Sequence, residues 1–385
     1  LSAFAIFAWG VASGLALPAQ AGFRLGEIAY DPSRQLLSCV ETQLRVPIQN
    51  LSQLPMRRLE EIGELRLMTY NTKGLIETVG KYERLPNGRM QQVTGPRAIE
   101  TERILLGAQP IRQHQPDFIF WQEAEGGLER LNTYTSTYLN DQYANYMIYG
   151  NEADRRINIG FSVKRDLPIT VEARTHRDEM WKDVADDKKE TVLFNRDLPV
   201  FLIRDRDAGS DSEPLMILIG THNKSKRNRD GDRLSTLLRT AQNERAAMIV
   251  NRLKHEFGEH ARIVVGGDFN TSLYSPEVTR SFFKVGLKEA FNAWKPDTPM
   301  KDRQTFAFIA KNRPRELNQL DGFYLAQPLQ DKVTEVQVVH YDNRVGRRGR
   351  LPRTRSEREK NPSDHYPVLM KLDFRRIFKE WRGEK

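Results

Sequence analysis

Short apolar runs recur along this chain, one of them alternating with polar residues at a period of two, and each run meets a residue that carries chemistry at one end. Residues 65–71, LRLMTYN, alternate and stop on Asn71. Residues 116–123, PDFIFWQE, form a nearly continuous apolar run that stops on Glu123. Residues 215–222 stop on His222, and Arg262 followed by the apolar residues 263–265 leads into Gly266-Gly267-Asp268-Phe269-Asn270. Residues 320–325 open on Asp321, and residues 362–368 place the adjacent pair Asp364-His365 just before the apolar stretch 368–370. Such runs predict β-strands. Side chains two positions apart leave a strand on the same side, so Asp268 and Asn270 are expected to emerge together from one tip. A single Gly-Asp step also opens ordinary turns, so the weight rests on the six tips taken together.

Two longer segments follow a helical period instead. Residues 99–113 set Ile104, Leu105 and Ile111 on one face, and residues 237–257 repeat Ala247, Ile249, Val250 and Leu253 at near-helical spacing; both stripes read as core. Residues 22–64 are expected to hold a lead-in strand and a helix around residues 56–62. Residues 172–190 are heavily charged and read as a solvated helix or loop, and residues 373–385 as a charged tail. No internal repeat or low-complexity tract interrupts the pattern.

Composition narrows the classes without choosing among them. A chain of 385 residues with 39% hydrophobic and 9% aromatic content can bury a sizeable core, which excludes a disordered protein. A net charge of +9 points toward an anionic partner such as nucleic acid or a phosphorylated surface. Residues 344–360 add a run of arginines, among them Arg347, Arg348, Arg350 and Arg353, which is either a solvated loop or a phosphate-binding one. Cys39 is the only cysteine, so no intramolecular disulfide can form. Residues 1–21 are uncharged and end with small residues at Ala19 and Ala21, as a signal-peptidase site requires; export with Gly22 as the first mature residue is expected, and an uncleaved membrane anchor is the alternative. No basic residue or initiator Met precedes that segment, as expected if the sequence opens inside its signal.

The six segments, in this order, resemble the endonuclease/exonuclease/phosphatase superfamily, which includes pancreatic-type deoxyribonuclease, abasic-site endonucleases, bacterial sphingomyelinases and inositol-polyphosphate phosphatases. The resemblance spans residues 65–372. It implies an α/β fold, a four-layer sandwich of two packed mixed β-sheets flanked by helices, with the active site at one edge of the sheet pair.

It also implies roles for particular residues. Asn71, Glu123 and Asp364 become the metal shell, and oxygen-only ligation favours Mg²⁺ with Mn²⁺ as a substitute. Asp268 and Asn270 orient or deprotonate the attacking water, His365 contacts the scissile phosphate, and Asp321 keeps His365 charged and correctly turned. His222 matches the second catalytic histidine of the deoxyribonuclease branch. Arg196 matches a phosphate-contacting arginine, and Lys224 and Lys226 follow His222 into the same groove. The chain departs from that branch at two positions: Arg156 stands where a phosphate-contacting tyrosine is expected, and Asn158 where a glutamate pairs with the histidine. Asn158 is expected to orient His222 without favouring its cation.

The resemblance points to an exported, Mg²⁺-dependent phosphodiesterase, first a sequence-tolerant endonuclease with DNA ahead of RNA as substrate and exonuclease action left open, monomeric and without an obligate protein partner. A sphingomyelinase-type phospholipid phosphodiesterase and a catalytically silent polyanion-binding protein are the competing readings.

Overall fold

The computed structural model describes residues 43–46, 55–75, 82–84, 90–92, 98–124, 126–151, 158–182, 190–209, 211–229, 231–310, 315–342 and 351–384. Two sheets carry the architecture. Their strands are β1 (Gln43–Val46), β2 (Glu64–Asn71), β3 (Phe118–Gln122), β4 (Tyr143–Ile148), β5 (Ile159–Lys164), β6 (Ile169–Arg174), β7 (Val200–Asp205), β8 (Met216–His222), β9 (Ile263–Asp268), β10 (Lys288–Glu289), β11 (Asp321–Leu325), β12 (Val333–Val338) and β13 (Val368–Asp373). One sheet has the order β1-β6-β7-β8-β9-β11-β10 and the other β12-β13-β2-β3-β5-β4. Helices of eight residues or more are α1 (Ala98–His114), α2 (Gly127–Tyr138), α3 (Thr236–Phe257), α4 (Pro276–Lys284) and α5 (Phe374–Trp381).

Period-two alternation sorts the first sheet's side chains into two cores. Phe201, Ile203, Met216, Leu218 and Val264 face the second sheet, whereas Val200, Leu202, Ile217, Ile219, Ile263 and Val265 face α3 through Leu238, Ala246, Ile249, Val250 and Leu253. The sheets meet over aromatic rings: Phe161 stacks on Phe201 at 4.1 Å between centroids, and Phe120 meets Phe323 edge-on at 6.1 Å. Such contacts add roughly 0.5–1.5 kcal/mol beyond area burial. On the far side of the second sheet Trp121 packs edge-on against Tyr134 of α2. The result is the four-layer α/β sandwich of two packed mixed sheets.

Each sheet contains one parallel pair, β2 with β3 and β8 with β9, and each pair is bridged by a helix, α1 and α3 respectively. A parallel pair needs such a crossover, and ligands gather at the carboxyl ends of the strands it joins. The neighbouring strands β11 and β13 run antiparallel to β9 and β2, so their beginnings arrive at that same edge. This topology brings the six chemical tips together.

Several elements differ from their sequence reading. Leu105 is 44% exposed while Ile104 and Ile111 are buried, because adjacent helical residues point about 100° apart and only one of the two can face the sheet. The lead-in strand joins the first sheet beside β6, but residues 59–61 make only a single 3₁₀ turn. The charged segment beginning at residue 172 is not solvated at its start. Glu172 and Arg174 lie in β6, about 3% exposed, where Glu172 accepts from Arg174 Nε (3.2 Å) and Arg204 Nη1 (2.8 Å), and Arg174 forks onto Glu256 of α3. Buried charge is tolerated there because each group is paired. Residues 374–381 form α5, which buries Phe374, Ile377 and Phe378 at helical spacing. Among the described residues no helix is long and apolar enough to cross a membrane. Residues 1–21, Cys39, Arg156 and the arginines at 347, 348 and 350 lie outside the described residues.

Candidate active site

Strand β9 sets the centre. Its register places Asp268 opposite His222 of β8 on one side and opposite Asp321 of β11 on the other. The approach depends on Gly267, whose φ is +152° and whose added Cβ would stand 1.9 Å from the carbonyl oxygen of Thr221. Only glycine accepts both the backbone and the contact. Two residues on, Asn270 takes a left-handed φ of 50°; its amide N–H donates to Asp268 Oδ1 (2.8 Å), and Nδ2 donates to the Asn223 carbonyl (2.9 Å) and to Asp268 Oδ2 (3.2 Å). Asp268 and Asn270 therefore do come together, but through the left-handed turn after Asp268 rather than through the strand period, since β9 ends at Asp268.

His365 reaches the same point from the segment entering β13. Its Nδ1 lies 2.7 Å from Asp321 Oδ2, and its Nε2 lies 4.0 Å from Asp268 Oδ2. Thr305 donates its hydroxyl to Asp321 Oδ2 (2.7 Å) and receives the backbone N–H groups of Leu320 and Asp321, which fixes the carboxylate that fixes the histidine. The Phe306 ring covers the imidazole with centroids 4.7 Å apart. Ser363 accepts the His365 N–H and donates to the Asn71 carbonyl, tying β13 to β2.

Asn71 turns Nδ2 toward Asp268 Oδ2 (2.9 Å) and Glu123 Oε1 (3.4 Å), while its oxygen accepts the Lys73 N–H (3.0 Å). His222 is buried, with Nε2 at 3.7 Å from Asp268 Oδ2 and 3.8 Å from Glu123 Oε1. Neither of its ring nitrogens has a hydrogen-bond partner. A buried donor and acceptor left unmet in this way marks a place for a ligand or water.

The electrostatics follow from burial and proximity. Burial works against the His365 cation, but the Asp321 and Asp268 carboxylates outweigh it and push the imidazole up to about 10. Burial, and then the charge of Asp321, push the Asp268 carboxyl up to about 7. Burial holds His222 well below its ordinary value, and the neighbouring Arg196 and His365 cations add to that, so the ring is neutral. Asp268, Asp321 and His365 offer ligand atoms all within 4.8 Å of one another. Two buried carboxylates facing each other, with Glu123 and Asp364 beside them, form an oxygen-rich set whose like charges a hard divalent cation relieves; the residues present fit such an ion.

Not every expected contact is made. Asp364 does not face an open shell: its Oδ2 is bonded to Lys73 Nζ at 2.7 Å. Asn158 is buried at the start of β5 and its carbonyl accepts the Ala124 N–H, but it does not orient His222, whose ring nitrogens are unmet. Arg196 is 5% exposed beside His222 and donates Nη1 to the Asn223 carbonyl (2.7 Å). Lys224 is anchored through its N–H to Gln242 Oε1, and Lys226 stands exposed on the same loop. Sequence reasoning missed Lys73, Thr305, Phe306 and Ser363. Thr305 and Phe306 carried no pattern of their own, whereas Ser363 and Lys73 sit within two residues of predicted site residues, and that adjacency was the available signal.

No family model matches the chain, and no curated protein matches it. Solved structures do. TDP2 of Caenorhabditis elegans is 19% identical over 80% of this chain and 75% of that one, with a TM-score of 0.50. The catalytic domain of human Nocturnin, solved with a bound sulfate anion, is 15% identical over 80% and 93%, also at 0.50. An endonuclease/exonuclease/phosphatase family protein of Bacteroides thetaiotaomicron is 16% identical over 80% and 97%, at 0.46. At such identities the likeness to the first two establishes the fold alone.

Proposed function

We propose that this chain, which carries the fold of the endonuclease/exonuclease/phosphatase superfamily, is a divalent-metal-dependent phosphodiesterase, an exported endonuclease acting on DNA rather than RNA. The observation that carries the proposal is the histidine pair at one edge of the sheets: His365 paired with Asp321 at 2.7 Å, and His222 buried with both ring nitrogens unmet, both facing Asp268. Groups whose surroundings push their proton affinities in opposite directions mark an acid–base assignment. Asp268, steadied by Asn270 and Asn71, orients the attacking water and takes its proton. His365 donates Nε2–H to a phosphoryl oxygen as negative charge develops there, which is where preorganised donors contribute most. His222 offers the phosphate one N–H donor. Glu123 and Asp364, with the amide oxygen of Asn71, would hold Mg²⁺ or Mn²⁺. The ion supplies charge neutralisation at the phosphoryl oxygens. The surplus of basic residues favours a polyanionic substrate.

The test is nicking of supercoiled plasmid by the chain from residue 22 in Mg²⁺. Activity should disappear on chelation and fall at least a thousandfold in His365→Ala and in Glu123→Gln, with far-UV circular dichroism unchanged. Release of a phosphorylated headgroup from sphingomyelin vesicles without nicking would move the assignment to lipids. Retention of DNA without either product would make the chain a binding protein.

A further inference from the structure

Lys73 carries a charge at the candidate active site that the proposed chemistry leaves unused. It follows Asn71 and Thr72 at the tip of β2, and its main chain is fixed from several directions. Its N–H donates to Asn71 Oδ1, the Thr72 N–H donates to the Gln122 carbonyl, the Thr72 hydroxyl to the Glu123 carbonyl, and the Gly74 N–H also to the Glu123 carbonyl. Lys73 itself has a φ of 48°, a conformation that L side chains other than Asn and Asp seldom adopt. The backbone is thus held, against its preference, beside two of the residues assigned to the metal. From there the side chain crosses to the other end of the sequence, where Nζ lies 2.7 Å from Asp364 Oδ2. The Asp364 side chain is 13% exposed and the Lys73 side chain 44%, so the carboxylate is covered while the ammonium keeps one side open to solvent.

We propose that Lys73 is a built-in counter-ion that takes the divalent cation's place at Asp364, so that metal and lysine compete for this carboxylate and the substrate phosphate resolves the competition by drawing the ammonium to itself. The inference rests on the phosphodiesterase reading given above. Its physical content is a sign. An ammonium bonded to a metal-ligating oxygen lowers the affinity for metal, because the ion must displace a cation and meet its repulsion. A phosphate arriving at the open side of the ammonium offers it new acceptors, and a lysine on a flexible stem is the side chain able to change partners. Metal and phosphate then bind with positive coupling, each helping the other by the same factor.

Calorimetric titration of Mn²⁺ into the full chain, alone and with saturating inorganic phosphate, tests this without any turnover. The wild-type protein should bind Mn²⁺ weakly alone and at least tenfold more tightly with phosphate. Lys73→Met should bind Mn²⁺ alone at least tenfold more tightly than wild type, and phosphate should then improve it by less than threefold. Lys73→Arg, which keeps the charge, should behave as wild type in the absence of phosphate. If Lys73→Met leaves Mn²⁺ affinity unchanged or weaker, or keeps the full phosphate coupling, the proposal is overturned. The side chain is exposed enough that neither variant should disturb folding, which the thermal midpoint checks. A wild-type protein that binds Mn²⁺ and phosphate with this coupling but hydrolyses no phosphodiester would sink the enzymatic reading and leave the counter-ion intact; an active enzyme whose Lys73→Met variant shows no tighter Mn²⁺ binding would do the reverse.

Discussion

At the residue scale, the charge on His365 depends on a carboxylate that Thr305 in turn holds still. The folded imidazole has its proton affinity raised from 6.5 to about 10, so the ion pair with Asp321 stabilises the fold fully below about pH 6.5 and loses that contribution as pH rises through about 10. In Asp321→Asn the strongest attraction is gone and burial acts with less opposition, so the value falls toward neutrality. The alkaline limb of the pH–rate profile should therefore move down by at least two pH units in Asp321→Asn, with activity at pH 9 relative to pH 6.5 reduced at least tenfold. An alkaline limb that stays where it is in the variant would mean that Asp321 does not set the charge. Asp321 and His365 were both legible in the sequence, since each sits at the end of an apolar run. Thr305 was not, because its function is the position of its hydroxyl across 16 residues of chain and nothing local announces it.

At the scale of elements, strand tips were readable and the partners of charged side chains were not. Short apolar runs, of which only residues 65–71 alternate, located β2, β3, β8, β9, β11 and β13, because a strand buried on both faces stays apolar whatever surrounds it. Glu172 and Arg174 defeated the same reasoning: a charge looks solvated until its partners, Arg204 and Glu256, are seen to come from β7 and α3. Lys73 defeated it likewise, its partner being 291 residues away. The parallel pair β8–β9 also carries a stability prediction. Gly267→Ala forces a methyl group against the Thr221 carbonyl at a φ closed to alanine, so the variant should lose roughly 3 kcal/mol or more in urea unfolding, as strained positions with a steric clash do. A loss below about 1 kcal/mol would show that β8 and β9 can part without cost.

At the scale of the whole molecule, the fold class was legible through the family resemblance that six chemical tips in this order carry, whereas the assembled centre belongs to no single stretch. Asn71 bonds to Asp268 across 197 residues, and Ser363 reaches Asn71 across 292. Closing so long a loop costs entropy that local contacts do not. Contacts of this span form late in folding, after helices and neighbouring strands are in place. Refolding from urea should accordingly restore far-UV ellipticity before it restores hydrolysis, with the two signals separated into distinct phases; simultaneous recovery in one exponential would contradict this. A chain emerging from the ribosome inherits the same order. The centre that needs Asn71, Asp268, Asp321 and His365 together cannot assemble until residue 365 has left the exit tunnel and β13 has docked, so whatever depends on all four begins only then.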